Sequence, residues 1–189
     1  MNKKFFNDDV TDDVLKEQFI KYFGEEKWHE EEILTKLWPF QFALFLTLGV
    51  EPIPVLFQEM EEDARYYDKD NYIGISTKLI NDEVEVIKCL IHEIRHYYQH
   101  ICVEYNDTNE PQLQYWIEDM KKDYNSLEPS EAICLSIEVD AFAYTKHIMN
   151  RWFDIDVVYP NEMYERVIKA FCIKYYKWLE VLSYCIHIN

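Results

Sequence analysis

Leu90-Ile91-His92-Glu93-Ile94-Arg95-His96-Tyr97-Tyr98-Gln99-His100 is the stretch on which the rest of the chain hangs. Its neighbours make it a helix. Asn81 is a ready N-cap, and Asp82, Glu83 and Glu85 place acid in the first turn, where the helix dipole favours it. Val84, Ile87, Ile91, Ile94 and Tyr98 recur at helical spacing and form the expected core face.

On that helix, His92 and His96 stand at i and i+4. They lie about 40° apart around the axis and one turn apart along it, so they face the same way. Two imidazoles so placed can hold one Zn²⁺. Glu93 is about 100° further round. It is too displaced to be a natural ligand, but a carboxylate there can take a proton from a water at such a metal. The plainer reading is two histidines on a polar helix face. The helix start and the apolar ladder weigh against it. His100 continues the face but lies about 12 Å along the axis from His92, too far for one ion to take all three. It reads as a polar residue near the helix end, with a supporting contact beside the site as its alternative.

A catalytic zinc takes three protein ligands and keeps one position open. The third is sought in Ser136-Ile137-Glu138-Val139-Asp140-Ala141-Phe142-Ala143-Tyr144, where two acids stand in an apolar helix. A buried carboxylate needs a partner, and a metal is one. Glu138 and Asp140 are about 200° apart on a helix, so only one of them can point at a given ion. Glu131 is a weaker rival whose plain role is charge at a helix start. For an oxyanion donor, Tyr144 and His147 lie about 120° and about 180° from Glu138, and neither fits.

Working outward, residues 11–23 suit a short helix. Residues 30–48 suit a longer one that Gly49 stops. Pro52 and Pro54 restrict Val55-Leu56-Phe57 to an edge strand. Arg65 to Tyr67 and Tyr72 to Ser76 flank an Asp68–Asn71 turn, giving a hairpin within a small antiparallel sheet over about 53–77. Beyond the central helix, 104–129 is polar, with a short helix opened by Pro111 and running through Trp116 and Met120. Helices then run from about Ser130 to Arg151 and from about Pro160 to His187. The class is α+β.

His92-Glu93-x-x-His96 followed by Glu138-x-Asp140-Ala141 resembles the zincin metallopeptidases of the gluzincin type, and among them the ImmA/IrrE-like group. That group often carries a further histidine four residues on, as His100 does here. Arg95 stands where a glycine is common, and Phe142 where the group has Asn or Asp. The likeness covers roughly residues 50–150. It implies a zincin-like fold: a small antiparallel sheet packed on an active-site helix, mostly helical elsewhere. It implies Zn²⁺ on His92, His96 and Glu138, with Glu93 as base and Asp140 as an orienting group or alternative ligand. It also implies that the strand Tyr72-Ile73-Gly74-Ile75-Ser76 receives an extended peptide substrate by strand addition. The expected organisation is one domain over 1–189: a helical extension (1–50), a catalytic core (51–150) and a C-terminal helix (151–189).

Composition bounds these expectations. The 189 residues are 49% apolar and 29% charged, enough for one domain with a real core. With 19 Lys+Arg against 36 Asp+Glu the net charge is −17, and such a surface repels phosphate. Binding to nucleic acid or to an anionic membrane is therefore not expected. The charge leaves a different alternative, mimicry of DNA by surface carboxylates. A catalytically silent zinc-binding interaction protein is another, against which Glu93 argues. Five cysteines at 89, 102, 134, 172 and 185 form no C-x-x-C pair and suit free thiols in a reducing cytoplasm. The N-terminus has no apolar run of a secretory signal. Leu37 to Val50, interrupted by Pro39, Gln41 and Thr47, is too short to span a bilayer.

Overall fold

The computed structural model describes residues 30–159 and 161–176, the side chains of residues 30–36 and 125 excepted. The helix expected over 11–23, the end of the C-terminal helix and Cys185 lie outside the described residues. The described chain is α+β, with a three-stranded sheet and helices before and after it. It divides into two compact units, Met1–Ile101 and Cys102–Asn189.

In the first unit, α1 (Glu30–Leu48) ends as its sequence demands. Gly49 adopts φ 68°. Its amide donates to the Leu46 carbonyl, and the Val50 amide donates to that of Phe45, both at 3.0 Å. This pairing satisfies the last carbonyls of the helix and needs the left-handed backbone that glycine adopts without strain. Leu37, Phe40, Leu44 and Phe45 are buried along α1.

The sheet comprises β1 (Val55–Gln58), β2 (Ala64–Tyr67) and β3 (Tyr72–Ser76), in the order β1-β3-β2. The hairpin forms as expected, with Tyr67 opposite Tyr72 and Ala64 opposite Ile75. Asn71 closes its turn at φ 53°. β1 is indeed an edge strand, as its prolines require, but it runs parallel to β3, with Val55 beside Ile73. The sheet is therefore mixed rather than antiparallel. The physical reason is that β2 pairs on the far side of β3, so β1 meets β3 through a connection that contains β2 rather than through a turn.

α2 (Glu83–Glu104) follows a 3₁₀ turn at Thr77–Leu79. Asp82, not Asn81, is the cap: its Oδ1 accepts the Glu85 amide at 3.1 Å. The buried face is Val86, Ile87, Leu90, Ile91, Ile94 and Tyr97, while Val84 is exposed. Each fully enclosed Leu or Ile on this face contributes about 1.5–3 kcal/mol of transfer free energy. The Phe45 and Tyr97 rings meet edge-on at 5.9 Å, fixing α1 against α2.

The second unit begins with α3 (Leu113–Asp119) and α4 (Pro129–Ala132) and continues with α5 (Ser136–Phe153) and α6 (Glu162–Tyr175). The single helix expected from Ser130 is thus two, because Leu135 is extended (ψ 145°) and starts α5 afresh. Asp119 at the end of α3 caps the new start: its Oδ2 accepts the Ser136 hydroxyl and, at 3.2 Å, the Ile137 amide. α5 is buried almost all round, from Ile137 to Trp152. Lys146, itself buried, donates to Asp156 Oδ1 at 2.7 Å and to the Val157 carbonyl, and pairs with Glu165 Oε1 at 3.0 Å. Burial alone would lower its pKa, but these two carboxylates outweigh that and raise it. The cluster ties α5 to the start of α6. No helix among the described residues is long and apolar enough to cross a membrane.

Candidate metal centre

His92 and His96 point the same way from α2, as i,i+4 spacing requires: their Nε2 atoms are 2.9 Å apart. His96 Nδ1 lies 2.8 Å from Gln99 Oε1, which can only accept, so this nitrogen carries the proton and Nε2 is left with its lone pair. Two nitrogens at 2.9 Å cannot both present lone pairs to each other. Either His92 donates a proton to His96 or the two share a cation. Tetrahedral Zn–N bonds of about 2.0–2.1 Å put neighbouring donor atoms about 3.3 Å apart, close to what is found.

One ligand atom each from His92, His96 and Glu138 lies within 4.8 Å of the other two, and all three residues are half-buried. Two imidazoles and a carboxylate suit zinc better than Mg²⁺ or Ca²⁺, which prefer oxygen shells. The donor set thus fits the expected ion. Asp140 is not in this group. It is fully buried, and its Oδ1 accepts the Tyr176 hydroxyl at 2.5 Å and Gln112 Nε2 at 3.4 Å. Glu131 is exposed, and its carboxylate accepts the Glu128 amide at 3.1 Å in a capping box, the plain role expected of it. His100 stands aside as well, its ring edge-on to Tyr66 at 5.3 Å. Burial lowers its pKa, Asp68 opposes this, and His96 adds to the lowering.

Glu93 is buried beside β2. Its Oε2 accepts the Tyr66 amide at 2.7 Å. The hold is possible because β2 alternates: the Ser76 amide donates to Asp63 O, so residues 63, 65 and 67 turn their backbone groups toward β3. Those of Ala64 and Tyr66 then point off the sheet edge. Nearby, burial pushes the Cys89 thiol up to about 12, helped by the carboxylates of Glu93, Asp63 and Glu85. Burial thus favours the thiol of Cys89 over its thiolate.

The expectation that Tyr72, Ile73, Gly74, Ile75 and Ser76 receive a substrate strand does not hold. β3 is the middle strand, paired with β1 on one side and β2 on the other, and its ladder is spent. The strand with outward backbone groups beside Glu93 is β2. Sequence reading missed this because periodicity identifies strands but not their order in a sheet. It also missed Gln99, whose signal was present: an amide three residues after a candidate ligand, on the same helix face.

Around Glu138 the second unit supplies aromatic rings. Burial, then the Glu138 charge, raises the pKa of both Tyr124 and Tyr164. Tyr164 packs edge-on against Phe142, one turn along α5 from Glu138.

No protein-family model matches the chain, and comparisons with curated proteins and with solved structures find no significant match.

Proposed function

We propose that this chain is a zincin-like, zinc-dependent metallopeptidase acting on an intracellular protein or peptide. The observation that carries the reading is the convergence of ligand atoms from His92, His96 and Glu138, with the Glu93 carboxylate next to the first of them in sequence. His92, His96 and Glu138 would hold the ion. When bound, zinc supplies Lewis-acid activation of water and of a peptide carbonyl. The chain's own residues do the rest. The Tyr66 amide holds Glu93 by one oxygen, and the other accepts the proton of the attacking water. Glu93 then returns that proton to the departing amine, which completes the peptide cleavage. Gln99 fixes the His96 ring with its Nε2 turned toward that of His92. The outward backbone groups of β2 at Ala64 would offer an extended substrate backbone a partner, the Tyr66 amide being held by Glu93.

A second reading is a zinc-binding interaction protein that does not cleave. It is favoured by the Tyr66 amide itself, which gives Glu93 a structural task. Glu93→Gln separates the two. The amide oxygen still accepts from Tyr66, so fold and zinc content stay as in wild type, but the side chain no longer takes a proton. For the peptidase, chelator-sensitive cleavage of an unfolded protein substrate disappears in Glu93→Gln. Wild-type turnover in that variant defeats the peptidase reading. Elemental analysis showing no transition metal in wild type, and no uptake of added zinc, defeats both.

A further inference from the structure

β2 is an outer strand, and its outward side lies beside Glu93. The amide and carbonyl of Ala64 turn that way, because Asp63 and Arg65 on either side spend theirs on β3. The four residues of β2 span about 13 Å. Edge strands are commonly guarded by charge on the strand itself. β2 carries one charged residue, Arg65, and its guanidinium is taken by Glu62 at 2.5 Å. The ladder is left open, and the acid stands at its two ends.

Glu59, Glu61, Glu62 and Asp63 lead into β2, and Asp68 and Asp70 follow it; all six are exposed. With Arg65 and Lys69 as their only cations, residues 59–70 carry a net charge of −4, where the chain's −17 averages to about −1 over the same length. Glu59, Glu61, Asp63, Asp68 and Asp70 form no ion pair among the described residues. Lys78 reaches this stretch through the Glu61 carbonyl, at 3.3 Å, and not through a carboxylate. At a Debye length of about 10 Å in 0.1 M salt, the fields of both ends act along most of so short a strand. Carboxylates on either side of an open ladder repel an acidic chain and raise the local concentration of a basic one before it docks.

We infer that the segment added to β2 is basic: an extended stretch of about four uncharged residues with Lys or Arg on both sides, its backbone on Ala64 and its cations among Glu59, Glu61 and Asp63 at one end and Asp68 and Asp70 at the other. The length of the uncharged part follows from that of β2, and the sign of the flanks from the carboxylates beyond it. The inference names the substrate class of the peptidase proposed above and rests on that reading.

The test uses labelled peptides that share one uncharged centre and carry a pair of Lys, of Ser or of Glu residues on each side. They are titrated by fluorescence anisotropy into the full-length, zinc-loaded Glu93→Gln protein, whose base is removed, and given to zinc-loaded wild type to measure kcat and KM. The Lys-flanked peptide is expected to bind about tenfold or more tighter than the Glu-flanked one in about 0.01 M salt, with the Ser-flanked one between them. Most of that margin should vanish in about 1 M salt, where the Debye length is about 3 Å. In wild type the margin should stand in KM rather than in kcat. Asp68→Lys combined with Asp70→Lys, at two exposed positions, should weaken the Lys-flanked peptide and strengthen the Glu-flanked one, a gain that loosening of the fold does not produce. Equal binding of these two peptides at low salt, which is what carboxylates that only guard the edge would give, overturns the inference. So does binding of none of them, or an unchanged preference in the double variant. Each of these leaves the peptidase reading to the cleavage of an unfolded protein. If wild type cleaves neither that protein nor any peptide, the peptidase reading falls and this inference with it.

Discussion

Glu138 and Asp140 are two residues apart and chemically alike, yet they have different work. Glu138 is half-buried and joins the two histidines, whereas Asp140 is sealed among Tyr176 and Gln112. Glu138→Ala should therefore abolish tight zinc binding and leave metal-free stability nearly unchanged. Asp140→Ala should do the reverse: a smaller loss of zinc affinity, and about 1–3 kcal/mol of stability lost as two buried donors lose their acceptor. Chelator competition and urea unfolding on the two variants check this. The assignment is wrong if Asp140→Ala is the one that loses zinc. The two histidines were legible because i,i+4 spacing on a helix fixes their direction without tertiary knowledge. The split between Glu138 and Asp140 was legible only as a choice, since spacing says that they diverge but not which one faces the histidines. The Tyr66 amide on Glu93 was not legible at all, because it joins residues 27 apart through a strand edge.

At the scale of elements, α5 depends on an acid from a different helix. Asp119 takes the place of an N-cap side chain, which the extended Leu135 cannot supply. Burial would raise the Asp119 pKa, but hydrogen bonds from Lys122, Ser136 and the Ile137 amide outweigh it and hold the carboxyl below its usual range. A carboxyl held low in the fold binds its proton more readily when unfolded. Its contribution is thus complete above the unfolded-state value and is lost as pH falls through the folded one. Asp119→Ala should cost about 1–3 kcal/mol at pH 7. The gap between the variant and wild type should narrow as pH drops below about 4. Urea titrations at several pH values measure it, and a gap constant with pH would refute the account. Sequence reading placed the helix through Ser130 unbroken because no local signal ends it: the break at 133–135 is stabilised by a partner 17 residues upstream of Ser136. The hairpin and the Gly49 stop were legible because turn and cap chemistry are local. The neighbours of β3 were not, because strand order is set by packing.

The molecule as a whole carries a net charge of −17, and its sheet edge is rich in acid. Glu59, Glu61, Glu62, Asp63, Asp68 and Asp70 are all exposed around β2, with Arg65 already paired to Glu62 at 2.5 Å. Self-repulsion of this kind opposes the compact state and is screened by salt, the Debye length falling from about 30 Å at 0.01 M to about 10 Å at 0.1 M. Raising ionic strength across that range should lift the melting temperature by a few degrees, at about 2–4 °C per kcal/mol. Differential scanning calorimetry decides it, and a melting temperature that falls with salt would mean that favourable ion pairs dominate. The order β1-β3-β2 carries a last consequence, for synthesis. The middle strand is the last of the three to leave the ribosome. Until Tyr72–Ser76 emerges, β1 and β2 have no ladder to join, since neither pairs with the other. At about 5–20 residues per second, the nascent chain holds two unpaired strands for about 0.5–2 s before the third closes the sheet in one step. A chain cut short in the turn at Asp68–Asn71 keeps both outer strands and has no sheet.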